Sequence, residues 1–155
     1  MRKILVFDMD GTIADLYGCE GWLDDIINCN ARPYKKAKPL FDMFTLTEML
    51  KVLKNYGWEI AITSWLAKNS NEDYDKKVTS AKIEWLKKYD FPCDIINIVK
   101  YGTVKTTVTE KLGGYQILFD DEEPNRMAWN LGRAINPQTE MLETLVDLIA
   151  KEIGY

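Results

Sequence analysis

The sequence predicts an α/β fold in three layers, a parallel β-sheet with helices on both faces. Three observations predict it. Short, largely apolar runs recur at residues 4–7, 58–62 and 115–119, the first of them unbroken. Runs of that length, rich in β-branched and aromatic residues, read as strands buried on both sides. Segments with helical spacing separate them, and alternation of strand and helix implies right-handed βαβ units. Each run also stops abruptly at polar residues, and in Rossmann-like parallel sheets ligands bind outside the carboxyl ends of the strands.

The elements follow in order. Ile4, Leu5, Val6 and Phe7 form the first strand, which ends at Asp8-Met9-Asp10-Gly11-Thr12. Residues 15–44 read as a short cap-like insertion within a single domain spanning 1–155. It holds a helix-like patch at 21–27 and a loop bearing Pro33, Lys35, Lys36, Lys38 and Pro39. Thr45 or Thr47 is placed to cap a helix through Met49, Leu50, Val52 and Leu53, which Gly57 ends. The second strand, 58–62, leads into Thr63-Ser64-Trp65, and 69–75 reads as a polar loop. A helix is expected over 78–89, with Ala81, Ile83, Trp85 and Leu86 near the core. Pro92 interrupts, and 94–99 is the third strand. Residues 101–114 read as a loop, and 115–119 as a fourth strand ending in Asp120-Asp121. Pro124 fits the first turn of a helix to Leu131. Residues 133–135 form a short edge strand. A last helix follows Pro137 with Met141, Leu142, Leu145, Val146 and Ile149 on one face.

Composition narrows the chemistry. A chain of 155 residues with 46% hydrophobic and 28% charged residues suits one ordinary domain. Its net charge of −4 argues against a broadly nucleic-acid-binding surface. There is no histidine, which excludes imidazole bases, imidazole metal ligands and Ser-His triads. Acid–base work must come from Asp, Glu, Lys, Tyr or Cys, and a metal would be held by oxygen, favouring Mg²⁺ or Ca²⁺ over Zn²⁺. Cys19, Cys29 and Cys93 are too few and too scattered for a disulfide framework or a zinc cluster. Reduced thiols, no apolar run of membrane-spanning length and no signal-peptide pattern make the cytoplasm the expected location.

The acids carry the chemistry. If Asp8, Asp10, Asp120 and Asp121 meet at one rim, each pair at ~4–5 Å repels by about 3–4 kcal/mol at an effective dielectric near 20. A divalent cation or raised pKa values must offset that. A calcium loop of the EF-hand type opening at Asp8 would need Gly and Glu where the chain has Ile13 and Cys19, so that reading fails.

Phe7-Asp8-Met9-Asp10-Gly11-Thr12 resembles the first motif of the haloacid dehalogenase superfamily phosphatases. The resemblance implies that Asp8 is the nucleophile that forms an aspartyl-phosphate. It makes Asp10 the acid and then the base, with Met9 contributing its backbone. Ile60-Ala61-Ile62-Thr63 is similar to the second motif, whose hydroxyl donates to the phosphoryl group, and sets Ser64 and Trp65 beside the substrate. Ile117-Leu118-Phe119-Asp120-Asp121 is similar to the fourth. By resemblance Asp8, Asp10, Asp120 and Asp121 hold Mg²⁺, with Arg126 steadying the acid pair. The third motif is a lysine. Lys105 in Gly102-Thr103-Val104-Lys105 is the first choice, with Lys111 next and Lys82 on the preceding helix also in view.

The implied activity is hydrolysis of a phosphate monoester with Mg²⁺ as cofactor. The Thr63-Ser64 pair and the short chain resemble the 5′(3′)-deoxyribonucleotidases and small phage-type phosphatases of the superfamily. A phosphorylated small molecule, nucleotide-like and met by Thr63, Ser64 and Lys105, is therefore the expected partner. A nucleic-acid end also fits an open site, and no membrane partner is expected. Two rivals stand beside this reading. One is a phospho-accepting receiver-like domain, which places its phosphorylated Asp after the third strand, where this chain has Val99-Lys100-Tyr101. The other is a phosphate-binding module without turnover.

Overall fold

A computed structural model describes residues 1–155. In chain order the elements are β1 (Lys3–Phe7), β2 (Ala14–Asp15), α1 (Trp22–Ile27), α2 (Arg32–Lys36), β3 (Lys38–Pro39), α3 (Met43–Asn55), β4 (Trp58–Trp65), α4 (Glu72–Lys88), β5 (Ile95–Val99), α5 (Lys105–Thr109), a 3₁₀ turn (Glu110–Leu112), β6 (Tyr115–Phe119), α6 (Glu123–Met127), β7 (Ala134–Ile135) and α7 (Pro137–Ile153). The expected α/β architecture is the one observed. Five strands form one parallel sheet in the order β5-β4-β1-β6-β7. Counting only these strands, the order is 3-2-1-4-5. Receiver-like sheets run 2-1-3-4-5, so the topology does not support that rival.

Burial explains why the strands are readable. Ile4 to Phe7 are fully enclosed, and alternate side chains enter opposite layers. Leu5 and Phe7 join the larger core with Leu46, Leu50, Leu145 and Leu148 of α3 and α7. Ile4 and Val6 join a smaller cluster with Ala61, Leu118 and Trp129 on the other face. The Phe7 ring stacks on Phe119 at 4.6 Å and meets Phe91 edge-on at 5.5 Å.

Several boundaries differ from expectation. Helix α3 is capped by Asp42, whose carboxylate accepts from the Thr45 amide, and not by Thr45 or Thr47. Helix α4 opens inside the expected 69–75 loop because the Asn71 side chain accepts from the Tyr74 amide. Part of the expected 101–114 loop is helical, as α5 and the 3₁₀ turn. Helix α6 is a turn and a half and stops at Met127. On α7, Leu142 and Val146 face outward; Thr144 and Leu148 take the inward places beside Met141 and Leu145. Strand β4 runs on to Trp65 because β5 pairs with its last residues, Thr63 with Asn97, Ser64 with Ile98 and Trp65 with Val99.

The insertion is more ordered than its sequence suggests. Its entry and exit, β2 and β3, pair antiparallel, and the expected Pro33–Lys36 loop is the short helix α2. Tyr34 and Ala31 pack with Leu16 and with Tyr74, Val78 and Ala81 of α4. The Trp85 indole donates to the Ala37 carbonyl and the Tyr74 hydroxyl to the Asn30 carbonyl. No helix is long and apolar enough to cross a membrane.

Candidate active site

Register builds the site. Phe7 pairs with Ile62 on one side and Phe119 on the other. The next residues, Asp8, Thr63 and Asp120, therefore share one row at the carboxyl edge, and the Asp8 amide extends the ladder by donating to the Phe119 carbonyl at 3.0 Å. Beyond Asp8 the chain wraps around one carbonyl. Met9 accepts from the amides of Thr12, Ile13 and Ala14 while its side chain enters the core. Gly11 completes the turn with φ 79°, and a Cβ there would lie 2.2 Å from an Asp121 carboxylate oxygen. The two acidic turns thus approach as closely as backbone allows.

Lys105, projected from the first turn of α5, lies between them. Its ammonium is 2.8 Å from Asp8 Oδ1 and 2.6 Å from Asp120 Oδ2. Burial alone would lower its pKa, but the two carboxylates outweigh burial and raise it, so the lysine is charged. Lys111, the second choice for the third motif, is exposed on the 3₁₀ turn. Asp120 is fully buried and also accepts from the Glu122 amide and the Asn125 side chain. Arg126 donates to the carbonyls of Asp120 and Asp121 at 2.9 Å each, gripping the acidic turn by its backbone. Thr12 Oγ1 lies 3.2 Å from Asp8 Oδ2 and 3.3 Å from Asp121 Oδ1, and accepts from the Asp121 amide. That hydroxyl sits inside the first motif, yet the sequence alone does not single it out.

Asp8, Asp120 and Asp121 each offer an oxygen within 4.8 Å of the others. Burial, with Asp8 alongside, raises the carboxyls of both Asp120 and Asp121, the latter to about 8. Three crowded carboxylates with one shared lysine are short of positive charge, and hard oxygen donors without nitrogen suit Mg²⁺. The side chain of Asp10 is not part of this group. Its Oδ2 accepts from Lys82 at 2.9 Å. Burial raises the Asp10 pKa, Lys82 pulls it down and Asp8 pushes it up, leaving it above the ordinary carboxylate range.

Thr63 and Ser64 are brought to the row but are fully enclosed, and neither lines the cavity in front of Asp8. Ser64 accepts from Lys82 at 2.7 Å, while Thr63 Oγ1 faces the Asn97 amide at 3.5 Å. From β4 it is Trp65 that reaches the cavity. This space, of about 280 Å³, has Asp8, Asp10 and Lys105 at its floor. Its walls are Leu16, Tyr17, Trp22, Leu23, Ile26 and Tyr34 from the insertion, and Trp65 and Tyr101 from the sheet side. Trp65 donates to the Thr103 carbonyl, tilts against Tyr101 at 5.0 Å, and has the Lys105 ammonium 5.3 Å from its ring centre.

With this geometry the fold can be set beside solved structures. A chain in the structure of the Pnkp1/Rnl/Hen1 complex superposes with a TM-score of 0.61 at 17% identity, over 88% of this chain and 46% of that one. This protein thus spans less than half the length of that chain. The crystal structure of D,D-heptose 1,7-bisphosphate phosphatase from Burkholderia thailandensis superposes with a TM-score of 0.55 at 11% identity, over 93% of this chain and 99% of that one. The chain shares the fold of these two structures. No protein-family model matches the sequence, and no curated protein does. On this shared fold, the carboxyl ends of β1 and β6 carry the two acidic turns described above.

Proposed function

We propose that the chain is a Mg²⁺-dependent phosphate monoester hydrolase that works through an aspartyl-phosphate on Asp8. The observation that carries this reading is the meeting of Asp8, Lys105, Asp120 and Asp121, drawn from three separate segments, beneath a cavity whose floor is Asp8, Asp10 and Lys105.

A carboxylate oxygen of Asp8 attacks phosphorus, and the bond from phosphorus to the ester oxygen breaks. Asp10, whose pKa stands above the ordinary range, gives its proton to the departing oxygen. It then takes a proton from water as that water attacks phosphorus and releases Asp8. Lys105 holds Asp8 in place and sets a fixed positive charge beside the transferring group, preorganised and screened from water. Asp8, Asp120 and Asp121 would hold Mg²⁺, which when bound offsets the charge of phosphate and carboxylates together. Thr63 and Ser64, both enclosed, are given no contact with substrate in this reading.

The aromatic walls favour a substrate whose leaving group carries a flat apolar ring, and a nucleoside monophosphate fits that description. Stacking on such side chains is worth about 1–3 kcal/mol per base. The deciding experiment is a Mg²⁺-dependent phosphatase screen over nucleoside monophosphates, sugar phosphates and an aryl phosphate, with Asp8→Asn as control. Turnover in the wild type and a loss on the order of 10⁴-fold or more in the variant are expected. Activity that persists in Asp8→Asn removes the nucleophile and with it the mechanism.

A further inference from the structure

Two lysines are buried in this protein, and the chemistry above uses only Lys105. Lys82 lies in the apolar stripe of α4, with Val78, Trp85 and Leu86, and its side chain is 1% exposed. A leucine or methionine would fill that place without taking an ammonium out of water, which is costly even when paired. Its three hydrogens are all used. They go to Asp10 Oδ2 at 2.9 Å, Ser64 Oγ at 2.7 Å and the Trp65 carbonyl at 2.7 Å. Tyr34 of the insertion covers the ammonium, its ring centre 5.2 Å away. Four residues from three segments therefore converge on one cation, and three of those contacts do nothing but fix where it sits.

We propose that Lys82, braced by Ser64 and the Trp65 carbonyl, is a positioning residue that holds the Asp10 carboxyl toward the leaving group and away from the cation pocket. The contact occupies Oδ2 and leaves Oδ1 to the cavity that Asp10 lines. It also explains why Asp10, two residues from Asp8, is absent from the group formed by Asp8, Asp120 and Asp121. The inference rests on the proposed role of Asp10. When the Asp8 oxygen attacks phosphorus and the ester bond breaks, the electron pair stays on the departing oxygen, which takes the proton held by Asp10. Correct placement of that proton matters more the more basic the departing oxygen is.

The test is therefore kcat/KM of the full chain with Mg²⁺ on two synthetic esters, benzyl phosphate with a strongly basic leaving oxygen and 4-nitrophenyl phosphate with a weakly basic one. Lys82→Met should lose about 100-fold on benzyl phosphate, within the range for a misplaced general acid, and at least tenfold less than that on 4-nitrophenyl phosphate. Equal losses on the two esters, or none on benzyl phosphate, would overturn the proposal. Should Lys82→Met fail to fold by circular dichroism, Ser64→Ala removes one brace and keeps the charge. It should then lose about tenfold on benzyl phosphate and less than about threefold on 4-nitrophenyl phosphate, and an unbiased Ser64→Ala overturns the proposal equally. If Asp8→Asn is inactive on both esters while Lys82→Met is unbiased, only this inference falls; if Asp8→Asn is active, the underlying reading falls first.

Discussion

The two walls of the cavity are built differently. The sheet wall rests on β1, β4 and β6, whose central residues are sealed on both faces. Its functional groups are set by strand register, ion pairs and backbone hydrogen bonds. The insertion wall rests on α1, which buries no residue, and on α2, five residues long. Leu23 and Ile27 of α1 are 52% and 68% exposed. The sheet side carries the charged floor together with Trp65, held rigidly, and the insertion carries aromatic and aliphatic surface held lightly. On the function proposed above, the difference would give chemistry to the sheet and selection to the insertion, the usual split between a scaffold and the segments laid over it.

Substitutions can break or sharpen that contrast. Phe7→Ala removes a ring stacked on Phe119 and edged by Phe91, and should cost about 3–5 kcal/mol in urea unfolding. A cost below about 1 kcal/mol, typical of surface changes, would mean that the sheet is not the rigid half. Lys105→Met leaves Asp8 and Asp120 facing each other without their cation. It should cost about 3 kcal/mol at pH 8 without Mg²⁺, and less at pH 5, where the Asp120 carboxyl, raised by burial, is closer to its neutral form. An equal cost at both pH values would show that the ion pairs do not support the rim.

A third expectation concerns pH and metal. Asp121 is raised from 3.8 to about 8 by burial and by Asp8, and Asp10 and Asp120 are raised as well. A carboxyl raised on folding supports the folded state at low pH, and that support is lost as pH climbs through the raised value. Melting temperature in EDTA should therefore fall between pH 5 and 9, and Mg²⁺ should restore it most at the alkaline end. A melting temperature that rises over the same window would contradict a crowded, cation-seeking cluster. The smallest stability effect is expected in the insertion. Leu23→Ala should change unfolding by no more than about 0.5 kcal/mol, yet raise KM for a nucleoside monophosphate while leaving kcat near its wild-type value. A fall in kcat with KM constant would move the insertion into the chemistry.

What the sequence reveals follows the same division. The central strands are legible because burial on both faces demands largely apolar runs, and the two acidic turns because they follow those runs directly. Helix α5 is not, since Lys105-Thr106-Thr107-Val108-Thr109 has no apolar period and three β-branched threonines. Strands β2 and β3 are two residues each, too short for any alternation to register. Lys82 ranks behind Lys105 in the sequence because a lone lysine on a helix usually points to water. The signal is present in its spacing. Tyr74, Val78, Ala81, Lys82, Trp85 and Leu86 form one continuous stripe, and the polar member of such a stripe is the residue to question. Ile83, expected inside, is only half-buried for the same reason.

The Lys105 ammonium, shared between Asp8, Asp120 and the face of Trp65, gives the protein an optical readout. Indole emission shifts with the electric field along the ring, and this field is set by a charge tethered to the acid pair. Filling the pocket between those acids redistributes that charge within one ring diameter of the fluorophore. Occupancy of the centre should thus be visible as a change in intrinsic fluorescence before any product forms, and Trp65→Phe should silence it while Trp58, on the opposite edge beside Lys3, stays dark to the event.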